Sequence, residues 1–169
     1  IVVYASHTNL DSAAGGMNDW LADALGLTAV APLVANTDGR TGLGRIGTLA
    51  KPISVADFAT QLRQRFGVQT VRVIANDLTR PLKKVAVLGG DGGRYWQQAQ
   101  AAGADAFVTA DVYYHVGHDI LAADFVVIDP DHHMEAIAAV PMAAKVHEWF
   151  GEDVTVSPTT INTDPYTYI

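Results

Sequence analysis

The sequence predicts an α/β fold, a three-layer α/β/α arrangement built on a mixed sheet, and three observations carry that expectation. Apolar, β-branched runs at Lys84–Leu88, Ala106–Thr109 and Phe125–Ile128 alternate with stretches of helical spacing, as strand–helix–strand units require. Glycines close the intervening helices, Gly103 after the first unit and Gly67 after an earlier one. With 169 residues and 49% hydrophobic content, the chain has enough apolar surface for one core, and residues 1–169 are read as a single unit.

Taken in order, Ile1–Ala5 reads as a strand, and His7-Thr8-Asn9-Leu10-Asp11 as a polar loop behind it. The chain opens in mid-strand without an initiator methionine, so a further segment is expected upstream. Gly15-Gly16 turns the chain into a helix over about Met17–Leu25, with Leu21, Ala24 and Leu25 at helical spacing beside Trp20 and Gly26 as its stop. Ala29–Ala35 reads as a strand interrupted by Pro32, which places it at an edge. A turn-rich loop over Asn36–Gly42 leads to an extended piece around Gly44–Gly47.

Ser54 with Asp57 three residues on marks a helix start, and Phe58, Leu62 and Phe66 then trace one apolar face. Val68–Ala75 alternates as a strand does. Gly89–Gly93 lies between a strand and a helix over Arg94–Ala102. Its glycines match neither a Walker loop nor a dinucleotide fingerprint, so a tight turn, and at most a pocket wall, is preferred to a nucleotide cradle. A second unit runs from Asp111 through a helix over Val112–Ala122. Pro141 should split Ala136–Trp149 into two short helices, and Val154–Val156 is expected as a last strand.

Composition excludes several classes of function. Eighteen acids against eleven bases leave a formal charge of −7, and the basic residues are dispersed, so a nucleic-acid surface is disfavoured. No run of about eighteen apolar residues and no leader pattern is present, which leads us to expect a soluble, cytoplasmic protein away from membranes. Without cysteine there are no disulfides and no thiolate ligands, so any metal must be held by nitrogen and oxygen.

Asp-Pro-Asp-His-His-Met-Glu, Asp129–Glu135, follows an apolar strand directly, where open α/β sheets keep their sites. His132 and Glu135, three apart, share a face if the chain turns helical there, but such a pair needs further ligands from elsewhere. His7 with Asp11 and His115 with Asp111 repeat the pairing of imidazole and carboxylate beyond other strand ends. Helix capping accounts for the two aspartates equally well. His147, among the charges of the last helix, is read as structural.

Tyr4–Asp11, Gly15–Asp19, Gly44–Gly47, Val87–Gly92, Gly103–Asp105, Thr109–His115 and Ile128–Glu135 occur in the order found in the Nif-three-like dinuclear metal-centre proteins. Those proteins also carry the name GTP cyclohydrolase 1 type 2 homolog, and the resemblance covers nearly the whole chain. It implies two intertwined halves, a toroidal hexamer, and two divalent ions (zinc, iron or manganese) per subunit. It implies further that Asp11, His132 and Glu135 are metal ligands, with His7 beside the ions and His115 a substrate contact or proton shuttle. A metal-dependent hydrolase acting on a small molecule or nucleotide follows, with a non-catalytic ring-forming scaffold as the rival reading. Three departures stand out: the family's upstream His-His pair lies outside this chain, Asp131 replaces a glycine before the histidine, and Ala110 replaces a glycine before Asp111. His133 remains a rival to His132.

Overall fold

The computed structural model describes residues 1–169, and it has the three layers expected. Six strands form one mixed sheet: β1 Thr28–Ala35, β2 Gly42–Ser54, β3 Arg72–Ile74, β4 Pro81–Asp91, β5 Ala106–Ala110 and β6 Val126–Asp129. Their spatial order is β1-β2-β4-β5-β6-β3, with β4, β5 and β6 parallel to one another and the remaining pairs antiparallel. The helices are α1 Thr8–Ser12, α2 Met17–Ala24, α3 Val55–Phe66, α4 Trp96–Ala101, α5 Tyr114–Ala122 and α6 Ala139–Phe150.

Because successive strand residues face opposite sides, the three central strands feed two cores. Val85, Val87, Ala106, Val108, Val126 and Ile128 pack with Leu21 of α2, with Leu25 just beyond its end, and with Phe58 and Leu62 of α3. Ala86, Leu88, Phe107 and Val127 pack on the other face with Ala99 of α4 and Ile120 of α5. Strands buried on both faces read as continuous apolar runs, which is why they were legible.

α3 begins and ends as its residues require. Ser54 Oγ accepts the Asp57 N–H at 3.1 Å and donates to the Asp57 carboxylate at 2.7 Å. Gly67 closes it at φ +65, in the left-handed region a side chain resists. Leu62 within it is fully buried, so its truncation to alanine would cost about 2–5 kcal/mol.

Other expectations are corrected. Ile1–Ala5 is no strand: Ile1 to Tyr4 are exposed and pair with nothing, and the polar loop behind them is the short helix α1. Of Val68–Ala75 only Arg72–Ile74 pairs, antiparallel to the four-residue β6, which offers no longer partner. The helix over Arg94–Ala102 opens with a 3-10 turn, Gly93–Tyr95, before α4 begins at Trp96. The predicted helix over Val112–Ala122 starts two residues later, at Tyr114. Pro141 breaks nothing. It stands in the first turn of α6, where its missing N–H has no helical acceptor, and the change of geometry falls earlier, after a 3-10 turn over His132–Ala138. Val154–Val156 joins no strand and pairs with neither edge of the sheet, β1 or β3. No helix is long and apolar enough to cross a membrane.

Candidate metal centre

The cavity that collects the predicted site residues lies among α1, the far end of β4 and the 3-10 turn after β6. It has a volume of about 340 Å³ and is lined by His7, Asp11, Gly89, Gly90, His132 and Glu135 among others. Residues some 120 positions apart in the chain thus face one space.

The 3-10 geometry sets the far side of that cavity. Side chains at i and i+3 eclipse in such a turn, and His132 Nε2 comes within 3.7 Å of Glu135 Oε2. The other ring nitrogen, Nδ1, is 2.6 Å from Asp111 Oδ2 at the end of β5. Met134, fully buried in the core, anchors the turn from below. Asp129 anchors it from behind. Wholly inaccessible, its carboxylate accepts the N–H of Asp131 at 2.9 Å and of Val112 at 3.1 Å, and pairs with Arg72 at 2.6 Å.

The glycine-rich stretch is both the pocket wall and the tight turn expected: Gly89 and Gly90 line the cavity, and the chain turns from strand to helix at Gly92, whose N–H donates to the Gly90 carbonyl at 2.8 Å. β4 continues through Gly89 and Gly90 to Asp91, and its register against β5 slips between Val87 and Asp91, a bulge of the kind that borders sites. A Cβ on Gly89 would stand 2.6 Å from Glu135 Oε1, and one on Gly90, at φ +63, would stand 3.2 Å from His132 Nε2. Backbone must approach both groups closely, and only glycine permits it.

The near side is held by two residues whose role the sequence did not announce. Asn18, completely buried on α2, donates to the Asp11 carbonyl and accepts the Gly89 N–H, each at 3.0 Å. Arg45, 2% exposed, pairs with Asp19 at 2.5 Å and donates to the carbonyls of Ala13, Gly42 and Gly44. A buried asparagine on an otherwise apolar helix face, and an arginine in a glycine-flanked strand, were the available signals.

Electrostatics suit a cation. Burial pushes the Asp11 carboxyl above its usual value, with His7 and His132 opposing in part. Burial does the same at Glu135, where His132 opposes and the Asp11 charge adds. At His132 burial favours the neutral ring, but the Asp111 hydrogen bond and the Glu135 charge outweigh it and raise the value. Carboxylates strained by desolvation are relieved by an adjacent positive charge. In donor type the cavity fits a divalent ion of the zinc, iron or manganese kind. No three of its His, Asp and Glu groups stand close enough to enclose an ion by themselves.

The geometry separates the candidate residues. His7, Asp11, His132 and Glu135 share the cavity. His133 does not line it, but faces a neighbouring cavity with Thr163 and Tyr166. His115 is exposed on α5, its ring against Tyr114 at 5.5 Å, and is not brought to the others. Asp131 occupies the glycine position at φ 74 and ψ 157, backbone that side chains avoid, and its carboxylate accepts the Tyr168 hydroxyl at 2.8 Å.

Comparison with known proteins bears on the family and the fold. The model of the family Duf34/NIF3 (NGG1p interacting factor 3) matches residues 1–165. The GTP cyclohydrolase 1 type 2 homolog of Streptococcus pneumoniae is 34% identical over 175 residues, spanning 100% of this chain and 65% of that protein. The homolog of the same name in Lactococcus lactis is 36% identical, spanning 98% and 63%. The chain therefore covers less than two thirds of the length of these relatives. Among solved structures, the Bacillus cereus protein related to NIF3 superposes with a TM-score of 0.90 at 25% identity, over 98% of this chain and 73% of that one. Reduced HcgD from Methanocaldococcus jannaschii gives 0.68 at 26% identity, over 89% and 57%. Matched along almost its full length, in sequence and in fold, this chain belongs to the Duf34/NIF3 family.

Proposed function

We propose that this chain binds divalent metal ions in the cavity between α1 and the 3-10 turn, through Asp11, His132 and Glu135, and that it serves metal-dependent hydrolysis. The observation that carries the reading is the meeting of His7 and Asp11 with His132 and Glu135 around one space beside a glycine bulge. The resemblance to dinuclear proteins supplies the number of ions, two, and an upstream His-His pair to complete their shells. When bound, a divalent ion supplies Lewis-acid polarisation and a water of lowered pKa.

The chain's own residues have distinct parts in this reading. Asp11 and Glu135 bring negative charge that a cation balances, and His132 brings a nitrogen donor. His7, exposed at the mouth with Nδ1 2.9 Å from the Thr8 hydroxyl, carries a proton between the cavity and water. The name shared by the relatives suggests ring opening of a purine nucleotide, and phosphoester hydrolysis is the sibling reaction. Self-assembly, as a hexamer, is supported by the exposed apolar side chains of α6, Val140, Trp149 and Phe150.

One observation favours a second reading, a ring-forming metal-binding scaffold without turnover: His115, the other candidate proton carrier, lies away from the cavity. Elemental analysis tests the shared premise. Asp11→Ala with Glu135→Ala should remove bound metal while circular dichroism stays native, and a full metal complement in that variant defeats the assignment. Light scattering should give a mass far above the 18.0 kDa of one chain, and a monomer at micromolar concentration counts against the ring.

A further inference from the structure

Asp111 has no capping role to explain it. The helix that follows, α5, begins beyond Tyr113 and receives no side-chain cap. Asp111 instead ends β5 in left-handed backbone, φ 53, with Oδ2 2.6 Å from His132 Nδ1. The opposite ring nitrogen, Nε2, faces Glu135 at 3.7 Å, beyond hydrogen-bond reach. A neutral imidazole carries one N–H, and the nearer acceptor claims it.

A second carboxylate fixes the distance between these two groups. Asp129 accepts the N–H of Val112, just after Asp111, and that of Asp131, just before His132. Both loops are thereby tied to one buried side chain, and Asp111 is left to set the rotation and proton position of the ring.

We propose that Asp111 is a positioning residue that holds His132 as its Nδ1–H tautomer, so that the Nε2 lone pair points into the cavity as a ligand or base. The use of that lone pair rests on the metal-binding reading above; the tautomer itself does not. Carboxylate partners of this kind orient ligating histidines, and their loss weakens metal binding by about 10–100-fold.

The test uses the full chain with ¹⁵N-labelled histidine, free of metal, at a pH where the ring is neutral. Long-range ¹H–¹⁵N correlation should show His132 protonated at Nδ1. Asp111→Gly suits φ 53 and removes the carboxylate without straining the backbone, and it should move the proton largely to Nε2. Asp111→Asn, whose amide can accept or donate, should give a mixture. Titration with Zn²⁺ should then show about 10–100-fold weaker binding in Asp111→Gly, with an unchanged circular dichroism spectrum. A wild-type ring protonated at Nε2, or a tautomer indifferent to Asp111→Gly, overturns the proposal. So does weaker Zn²⁺ binding with an unmoved tautomer, which would make Asp111 a charge or ligand in its own right. If the tautomer responds but wild type takes up no Zn²⁺, the positioning role stands and the metal reading falls.

Discussion

The two sides of the candidate centre are built to different standards. On one, the 3-10 turn carrying His132 and Glu135 leaves a central strand, is pinned by fully buried Met134, and is tied behind by inaccessible Asp129. On the other, α1 is a five-residue helix with no buried residue and no side-chain cap, holding Asp11 through the polar clamps of Asn18 and Arg45. One half is preorganised by the sheet, while the other hangs on a few hydrogen bonds. Local opening should therefore begin at α1, where few apolar contacts resist it.

The comparison can be broken most severely at Asp19. Asp19→Ala would leave the Arg45 guanidinium buried without its counter-charge, at a cost of about 3 kcal/mol. Urea unfolding reads that loss, and a change below ~0.5 kcal/mol would mean the clamp carries little. Asn18→Ala removes the two hydrogen bonds of a buried amide and should cost about 1–3 kcal/mol. Amide exchange should quicken over residues 7–16 and stay slow over 126–135; equal acceleration on both sides would erase the asymmetry.

A smaller effect, of opposite sign, is expected at Asp131. Glycine there relieves backbone strain worth about 1 kcal/mol or more but gives up the Tyr168 hydrogen bond and the long 3.4 Å cap on the His133 N–H, which a glycine cap replaces at a cost of only a few tenths of a kcal/mol, so the denaturation midpoint of Asp131→Gly should rise slightly. A fall would show that the Tyr168 contact outweighs the strain.

The smallest effect is a pH dependence. Burial, with the charges of Asp11 and Asp111 adding, holds the Glu135 carboxyl above its ordinary value of 4.5 in the folded chain. The native state then binds this proton more tightly than the unfolded one, so stability falls as pH rises from that value through the raised one. Glu135→Gln should remove that fall and raise the melting temperature of the metal-free protein at pH 7. The same variant should also gain less on adding Zn²⁺. An unchanged melting temperature with an unchanged gain would place Glu135 outside the centre.

The strand–helix alternation was legible in residues such as Val85–Leu88 and Val126–Ile128, because burial on both faces leaves an unbroken apolar run. Ser54, Asp57 and Gly67 marked α3 because caps are local chemistry. The His132–Glu135 pair was legible for the same reason, spacing along one turn. Ile1–Ala5 and Val154–Val156 misled, since an apolar stretch is a strand only where a sheet edge receives it. The turn at Gly92 was legible, but the bulge before it was not, because its cause, Glu135 and His132 pressing against Gly89 and Gly90, lies more than forty residues away.

The sequence by itself determined the layers and the residue types available to a cation, which depend on composition and near-neighbour spacing, and its ordered motifs carried the resemblance to the family. Only the tertiary structure decided that Asp11 and His7 share with His132 a cavity that His133 and His115 do not line, and that Asn18, Arg45, Asp111 and Asp129 hold them there. Those choices follow from which strand ends lie side by side in the sheet, an ordering set by long-range packing and written in no local pattern.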